Sequence, residues 1–371
     1  MGREGGGLEG PRARRSRRRL ERDRNPPHAR GSANRHSPRP SGTATRSDRT
    51  EVPFVGVDLA HPRSRGRGGR RAALTQRSAG TALDARVVRA ALKPLPNDAG
   101  KEARGRVLVV GGSLRYPGAA LLASRAALRC GAGVVTIAAA RSVVEAIAGA
   151  DPNVTLFPLA EAQPGVVSAA AAAQVSTVTA ERTRVLLLGP GLAHAPGTDD
   201  FVVATLRLAH SIATVIDADG LNALARTEAW RDALPTKTIL TPHDGEAARL
   251  AGGVVPSGAA RVAFAERHAR DWGAIVVLKG PVTVVTDGTK TYVHDQPNAT
   301  LGVGGSGDVL GGAIAALLAR GLAPLAAAAS GVWAHGRVGA LLASETGQSG
   351  ALATEIADAL PRALREIVEG R

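Results

Sequence analysis

From residue 85 onward, the hydrophobic residues form short apolar runs that end at glycine or a polar residue, separated by helical segments rich in alanine. Successive residues within each run are apolar, which is typical of strands buried on both faces. Strands that alternate with helices predict an α/β fold, a doubly wound and mainly parallel sheet sandwiched by helices. The predicted strands lie at residues 106–112, 134–140, 184–191, 214–220, 238–243 and 274–280, and a helix is predicted at 118–133.

The beginning of the chain has a different composition. Residues 1–80 contain 20 arginines, no lysine and seven acidic residues, a net charge of +13, whereas the whole chain carries +15. Aliphatic residues hardly cluster there, so the segment lacks the apolar surface that folding requires. We therefore predict a disordered, arginine-rich tail at residues 1–84 and one domain at residues 85–371. The exclusive use of arginine is also consistent with a start codon assigned too early.

Composition also disfavours several classes of protein. Neither a membrane-spanning apolar run nor the apolar core of a secretory signal is found, so we expect a cytoplasmic protein without a membrane partner. The tail does not interleave aromatic residues with its arginines, and we do not expect nucleic acid as a partner. Cys130 is the only cysteine and follows an apolar helix, which indicates a small buried residue rather than a nucleophile. The alanine-rich helices at 324–344 favour a homo-oligomer.

A glycine-rich turn at residues 302–307 runs directly into an apolar helix predicted at about 309–318, with Asp308 at the junction. Glycines let successive backbone N–H groups approach a phosphate, and the first turn of a helix adds its positive dipole end. A phosphate repels a carboxylate, so one explanation for Asp308 is that it accepts the proton of an attacking hydroxyl. The other explanation is that Asp308 caps the helix.

Polar side chains follow three other predicted strands. Asp217 and Asp219 end one strand, where they fit either Mg²⁺ bound through water or a helix cap. His243 and Glu246 stand three residues apart, so they share one face of a helix that begins near them, and they also fit a capped helix start. Lys279 ends a strand before a predicted hairpin, where it is either solvated or within reach of a nucleotide phosphate.

The ordered series GGS-x-x-Y-x-GA, GPGL, DADGLN, TPHDGE, KGPVT and GGSGDVLGG resembles the ADP/ATP-dependent NAD(P)H-hydrate dehydratases, a branch of the ribokinase-like superfamily. The resemblance covers about residues 90–370, and the ordered set is far more specific than any one motif. It implies a ribokinase-like sandwich with a nucleotide site at the GxGD helix. It also implies that a hydrated nicotinamide cofactor is converted back to NADH or NADPH.

The resemblance implies roles for individual residues. Asp308 is expected to be the catalytic base. The nucleotide is expected to contact Lys279, Gly280, Pro281, Val282, Thr283, Gly304, Gly305, Ser306 and Gly307. The hydrate is expected to contact Ala119, Ala120, Gly191, Ala193, His243 and Asp308. Glu246 is the candidate Mg²⁺ ligand.

The reaction expected for such a protein is metabolite repair by a hydro-lyase. ADP or ATP, with Mg²⁺, phosphorylates the hydroxyl of (S)-NAD(P)H hydrate, and departure of phosphate restores NAD(P)H. We expect ADP as the co-substrate, giving AMP and phosphate. A separate NAD(P)H-hydrate epimerase is the expected pathway partner, because residues 1–84 are too few to form one.

Three positions depart from the family pattern. Ala193 stands after GPGL where glycine is expected, and its methyl group would narrow the substrate turn. Ser306 replaces the commoner threonine and keeps the hydroxyl. Gly220 replaces a helix former in DADGLN, which costs about 1 kcal/mol of helix propensity.

Three alternative functions stay open at this point. The first is a ribokinase-like small-molecule kinase acting on a vitamin or sugar hydroxyl, although His243 stands where such kinases tend to have asparagine. The second is a nucleic-acid-binding protein that uses the arginine-rich tail, whose binding would be salt-sensitive. The third is a catalytically idle regulator that senses nucleotide.

Overall fold

The structure is a computed structural model that describes residues 80–180 and 182–370. Most of the predicted tail, residues 1–79, lies outside the described residues. The last residues of that predicted segment belong to the domain, because Thr81–Ala82 form a short strand and Leu83 is buried. The predicted boundary at residue 85 stays a prediction.

A ten-stranded sheet forms the centre of the domain, and a separate pair of short strands lies beside it. The strands are β1 (Thr81–Ala82), β2 (Arg106–Val110), β3 (Val134–Ala140), β4 (Thr155–Leu159), β5 (Glu161–Gln163), β6 (Val166–Val167), β7 (Val185–Leu188), β8 (Ala213–Ile216), β9 (Thr238–Leu240), β10 (Ile275–Leu278), β11 (Val282–Thr286) and β12 (Thr291–Asp295). The order in the large sheet is β1-β12-β11-β10-β9-β8-β7-β2-β3-β4.

All strand pairs from β10 to β4 in this order are parallel, and β11 runs antiparallel to both of its neighbours. The register aligns Val107 with Val185 and Val110 with Leu188. Every residue of β7 is buried, as the unbroken apolar run at 185–188 predicts for a strand covered on both faces. The mainly parallel sheet and the hairpin after Lys279, formed by β11 and β12, are both confirmed.

Eleven α-helices occur in the described part of the chain. They are α1 (Ala85–Ala91), α2 (Pro117–Arg129), α3 (Arg141–Ile147), α4 (Ala172–Ala180), α5 (Thr198–Leu208), α6 (Asp219–Ala225), α7 (Asp244–Ala251), α8 (Ala259–Trp272), α9 (Ser306–Ala319), α10 (Pro324–Thr346) and α11 (Ala353–Glu369). None of these helices is long and apolar enough to cross a membrane.

The helices pack on the sheet in two groups. In one group α9 packs against α2 and α10, and α11 packs against α2 and α10; in the other, α4, α5, α6 and α7 pack in sequence order. The predicted doubly wound sandwich is confirmed. The close approach of α2 and α9 depends on Gly312, because a Cβ at that position would overlap the backbone carbonyl of Ala123.

The glycine-rich turn enters its helix earlier than predicted. The pattern of apolar residues places the start of this helix at about residue 309, but α9 begins at Ser306 with Gly305 as its N-cap. Gly305 has a φ of 89°, which a residue with a side chain rarely adopts. Because the helix begins three residues earlier, Asp308 lies inside its first turn.

Candidate active site

The candidate site lies where the strand order reverses. β2 and β7 are neighbours in the sheet, although the chain passes through β3 and β4 on the other side of β2 before it returns to β7. Open α/β sheets bind ligands at such a switch point, beyond the carboxyl ends of the strands. There the Gly112 N–H donates a 2.7 Å hydrogen bond to the Pro190 carbonyl, which joins the GGS and GPGL turns.

The first turn of α9 faces this crevice and contains Asp308. Neither Asp308 nor any other side chain caps α9, so the interpretation of Asp308 as a helix cap is wrong. Burial and, to a lesser extent, the nearby charge of Asp217 raise the pKa of the Asp308 carboxyl to about 7, against the opposing effect of Lys279. A carboxyl with this pKa exchanges protons near neutral pH, as a general base requires.

Lys279 is held by carboxylates rather than solvated. Its Nζ lies 2.8 Å from Asp217 Oδ1 and 3.9 Å from Glu246 Oε2, and the Asp217 side chain is only 1% exposed. Burial lowers the pKa of Lys279, but Asp217 and Glu246 outweigh it, so the pKa is raised overall. A Cβ at Gly307 would lie 3.5 Å from Nζ, so the ammonium group lies over the first turn of α9.

His243 and Glu246 form a capping box at the start of α7. His243 Nδ1 accepts hydrogen bonds from the backbone of Gly245 and Glu246, and the Glu246 carboxylate accepts one of 2.8 Å from the His243 N–H. Burial lowers the pKa of His243, and the charges of Lys279 and Arg249 lower it further. Burial raises the pKa of Glu246 to about 7. The capped helix start is confirmed, and it fixes the His243 ring at the mouth of the site.

A cavity of about 650 Å³ opens beside Lys279 and the start of α9. Leu310 and Val332 give it apolar walls, and His294 and His335 contribute imidazole rings. His335 Nε2 lies 2.9 Å from the Ser306 hydroxyl. Burial lowers the pKa of His335 to about 4, so the ring is neutral at physiological pH. The cavity has the size of a small-molecule site, with the cationic Lys279 at its inner end.

The site does not offer a metal-binding cluster made of protein ligands. Within the described residues there is no group of three or more His, Cys, Asp or Glu side chains able to hold a metal ion. Glu246 is 5% exposed, and its carboxylate is engaged by the His243 backbone and by Lys279. A direct role of Glu246 as a Mg²⁺ ligand would compete with these contacts, and it stays a prediction from the sequence.

Comparison with known proteins assigns this domain to a family. The sequence model of the NAD(P)H-hydrate dehydratase family matches residues 107–362, which is more than half of the chain. The chain belongs to the NAD(P)H-hydrate dehydratase family. The matched segment of this family member contains the turns, the capping box and the glycine-rich loop described above.

Two relatives illustrate the similarity of this family member to curated proteins. The ADP-dependent (S)-NAD(P)H-hydrate dehydratase of Xanthomonas campestris is 38% identical, over 76% of this chain and 97% of that protein. The bifunctional NAD(P)H-hydrate repair enzyme Nnr of Moorella thermoacetica is 40% identical, over 71% of this chain and 50% of that protein. The chain thus spans about half the length of the bifunctional relatives that it matches.

A solved structure of the family has the same fold. The ADP/ATP-dependent NAD(P)H-hydrate dehydratase of Bacillus subtilis, crystallised with ATP and Mg²⁺, superimposes with a TM-score of 0.65 and is 28% identical. The similarity covers 78% of this chain and 99% of that chain. The predicted ribokinase-like fold is therefore confirmed.

The residues predicted to contact the hydrate lie around the switch point, with one exception. A Cβ at Gly191 would lie 2.7 Å from Ala119 Cβ, so Ala119 packs against the GPGL turn. Ala120 is the exception, because it is fully buried in the core, and its contact with the hydrate stays a prediction from the sequence. Ala193 follows the same turn with a φ of 60°, and His243 lies across the crevice.

The residues predicted to contact the nucleotide fall on two surfaces. The main cavity is lined by Lys279, Gly280, Pro281, Thr283, Ser306 and Gly307. Val282 lines a second cavity of about 670 Å³ beside β12, and its contact with the nucleotide stays a prediction. Gly304 and Gly305 are not among the lining residues of the main cavity, and they shape the turn that leads into α9.

Several residues of the site were missed or misinterpreted. The sequence allows Asp217 and Asp219 either to bind a metal ion or to cap a helix. In the structure, Asp217 binds Lys279, and Asp219 accepts a hydrogen bond from the Ala193 N–H. Thr241 donates a 2.8 Å hydrogen bond to Asp217. His335 was missed, although a lone histidine within an alanine-rich helix was a usable signal. These contacts join residues far apart in the chain, which local patterns do not report.

Proposed function

We propose that this protein dehydrates (S)-NAD(P)H hydrate to NAD(P)H in a nucleotide-dependent reaction, with ADP as the phosphoryl donor. One observation carries the proposal: a partly buried carboxyl with a pKa of about 7, Asp308, lies in the first turn of the helix that follows the glycine-rich loop. The family of the chain and the name of the Xanthomonas campestris relative support the same reaction.

Asp308 acts first, on the hydroxyl of the hydrate. Its carboxylate takes the hydroxyl proton while the oxygen attacks the terminal phosphorus of the nucleotide. Backbone N–H groups at the start of α9 and the ammonium of Lys279 stabilise the negative charge of the transferring phosphoryl group. The phosphorus–oxygen bond to the nucleotide breaks, and AMP leaves when ADP is the donor.

Phosphorylation solves a leaving-group problem. Hydroxide leaves poorly at neutral pH, whereas phosphate is a good leaving group. The lone pair of the ring nitrogen forms a carbon–nitrogen double bond as the carbon–oxygen bond to phosphate breaks. Loss of a proton from the next carbon then restores the carbon–carbon double bond. The sum is hydrate plus ADP giving NAD(P)H, AMP and inorganic phosphate.

The proposed reaction uses a nucleotide and Mg²⁺. The Bacillus subtilis relative is described as ADP/ATP-dependent and was crystallised with ATP and Mg²⁺. We propose that this chain accepts Mg²⁺ together with the nucleotide phosphates rather than at protein ligands, because Glu246 is already engaged. No step above requires a metal ion held by a side chain.

The pathway partner follows from stereochemistry. A reaction specific for the S form of the hydrate requires an NAD(P)H-hydrate epimerase activity to convert the R form. The Moorella thermoacetica relative is named a bifunctional repair enzyme. We propose that an epimerase works in the same pathway as this chain. A homo-oligomeric assembly and a cytoplasmic location stay predictions from the sequence.

The test is the recovery of dihydronicotinamide absorbance after the purified protein is mixed with NADH hydrate, Mg²⁺ and either ADP or ATP. A rise that depends on the nucleotide identifies the reaction and the donor together. The Asp308→Asn variant should lower kcat by about 10³-fold, because it loses the base but keeps the shape of the side chain. Asp200→Asn, an exposed carboxyl on α5, is the matched control and should retain activity.

Two outcomes would contradict the proposal. Near-normal turnover by a folded Asp308→Asn variant would remove the base role. Failure of the wild-type protein to restore absorbance with either nucleotide would remove the dehydratase activity. The protein would then be screened as a kinase of vitamin and sugar hydroxyls, the alternative that shares its fold.

A further inference from the structure

Two alanines beside the site have backbone conformations that residues with a side chain rarely adopt. Ala218, between Asp217 and Asp219, has φ 49° and ψ −117°. Ala193, after the GPGL turn, has a φ of 60°. Non-glycine residues keep such conformations only where their surroundings hold them, and these positions cluster at functional sites. Contacts between neighbouring turns hold both alanines in place.

The turns after β7 and β8 are packed directly on each other. A Cβ at Gly189 would overlap the Asp217 carbonyl, and a Cβ at Gly220 would lie 2.8 Å from the Leu188 carbonyl. The Gly220 N–H donates a 3.0 Å hydrogen bond to the Asp217 carbonyl. With no side chain between the turns, the segment after β8 is placed rigidly under the GPGL turn.

Because of the conformation of Ala218, the carboxylates of Asp217 and Asp219 lie in different halves of the site. Asp217 Oδ1 accepts from Lys279 on the nucleotide side. Asp219 Oδ2 accepts a 2.8 Å hydrogen bond from the Ala193 N–H on the substrate side. Asp219 does not cap α6, so its side chain is committed to this second contact.

We infer that Asp219 is a positioning residue that holds Ala193, and with it the GPGL turn, in the geometry that binds the hydrate. We call the hydrogen bond from Ala193 to Asp219 the Asp219 clamp. The inference rests on the function proposed above, because it assigns the GPGL turn to the hydrate side of the crevice. The clamp matters in this chain because alanine, not the expected glycine, occupies a left-handed position there.

A chain of hydrogen bonds orients the clamp from the other side. Asn222 Nδ2 lies 3.3 Å from Asp219 Oδ1, and Arg249 Nε donates a 3.0 Å hydrogen bond to Asn222 Oδ1. The carboxylate of Asp219 thus accepts at both oxygens, from α6 and from the GPGL turn. Such fixed acceptors place a backbone more precisely than a freely rotating side chain does.

Asp219 also carries a charge that acts on the base. Its charge raises the pKa of Asp308, though less than burial and Asp217 do. A purely electrostatic role would therefore change the pH profile of the reaction. The clamp requires only an acceptor oxygen, which asparagine also provides, so substitutions at this position separate the two roles.

The experiment compares Asp219→Ala with Asp219→Asn in the absorbance assay. Asp219→Ala should raise the KM for the hydrate by about tenfold, the effect of losing one hydrogen bond to a charged group. Its KM for ADP should stay at the wild-type value. Asp219→Asn should keep the KM for the hydrate within about threefold of the wild type, because the acceptor remains. Asp200→Ala is the matched control for loss of an exposed carboxylate near a helix start.

A second substitution tests the geometry itself. Glycine adopts a φ of 60° without support, so adding Ala193→Gly to Asp219→Ala should restore the KM for the hydrate. Equal impairment of Asp219→Ala and Asp219→Asn would overturn the inference in favour of an electrostatic role. An unchanged KM in Asp219→Ala, or no rescue by Ala193→Gly, would overturn it as well.

A readout without catalysis separates this inference from the proposed function. The Ala193 amide should be protected from hydrogen exchange in the wild type and in Asp219→Asn, and should lose protection in Asp219→Ala. If the wild type has no dehydratase activity, the proposed function fails while this measurement still tests the clamp. Equal protection of the Ala193 amide in all three proteins would show that the clamp does not hold the turn.

Discussion

Burial and mutual charge interactions set the pKa values of three side chains in the site, Asp308, Glu246 and Lys279. Burial raises the pKa of both carboxyls to about 7, and Lys279 opposes the shift in each case. The lysine in turn is kept charged by Asp217 and Glu246, against the effect of burial. A site with more carboxylates than cations repels a nucleotide phosphate unless it takes up protons or the phosphate arrives with a cation. At the residue scale, the site is poised to exchange protons near neutral pH.

The pH dependence of the reaction follows from the direction of these shifts. A general base works only when deprotonated, and the pKa of Asp308 lies at about 7 rather than 3.8. The value of kcat/KM should therefore fall about tenfold for each pH unit below about pH 7. Asp308 and Glu246 interact, so the apparent pKa belongs to the pair. The measurement is a profile of kcat/KM in buffers of constant ionic strength.

Asp217→Asn provides the control for this profile. Removing the charge of Asp217 lowers the pKa of Asp308, so the acidic limb should move to lower pH. His335, with a pKa of about 4, should not contribute to the limb near neutrality. A profile that stays flat from about pH 5 to pH 8 would contradict the assignment of Asp308 as the base.

At the scale of elements, α9 connects the fold to the site. Its N-terminus forms the turn to which we assign the nucleotide phosphates, and its remaining residues are almost all buried. It packs on α2 at Ala123 through Gly312, where no side chain fits, and the preceding part of α2 connects to the GGS loop. The position of Asp308 therefore depends on close packing between two helices.

Two adjacent glycines of α9 provide a matched test. Gly312→Ala should destabilise the protein by about 3 kcal/mol, because its methyl group would overlap the Ala123 carbonyl. Gly311→Ala places a methyl group 3.5 Å from Asp217 and Leu187, an ordinary contact, so it should be neutral or gain up to about 1 kcal/mol of helix propensity. The free energy of unfolding in denaturant, measured for both variants, checks the prediction. Equal stability of the two variants would show that α2 and α9 are not closely packed at Gly312.

At the scale of the whole molecule, residues from distant parts of the chain meet at the carboxyl ends of the parallel strands. The site residues described above lie between Gly112 and His335. They follow β2, β7, β8, β9 and β10, lie in β11 and β12, or belong to helices such as α2, α7, α9 and α10. The strand order, with β7 beside β2, brings the GGS and GPGL turns together at the switch point.

Deletion of residues 1–79 tests the role of the arginine-rich segment. Because the site residues all lie within the described domain, the shortened protein should keep the kcat/KM of the full chain. The deletion should also remove most of the net positive charge, since residues 1–80 carry +13 of the total +15. Salt-sensitive nucleic-acid binding by the full chain that disappears on deletion would support the alternative function of the tail.

Six of the parallel strands, the hairpin, the glycine turns and the family are predictable from the sequence, whereas β1, β4, β5 and β6 were not predicted. These features follow from local patterns: unbroken apolar runs, glycine at sharp turns, and motifs that keep their order. The same local information placed Asp308, Lys279 and His243 at strand ends and helix starts, which is why a common site at one edge of the sheet was predictable.

The contacts and the pKa values of the carboxylates depend on the tertiary structure. Asp217 binds Lys279 across 62 residues of sequence, and Asp219 binds Ala193 across 26. The pKa values of Asp308 and Glu246 depend on burial and on charges from other parts of the fold. The burial of Ala120 and the position of Val282 beside a second cavity are likewise properties of the folded domain. Contacts, burial and orientation through space arise only when distant segments pack, so they are absent from any local pattern.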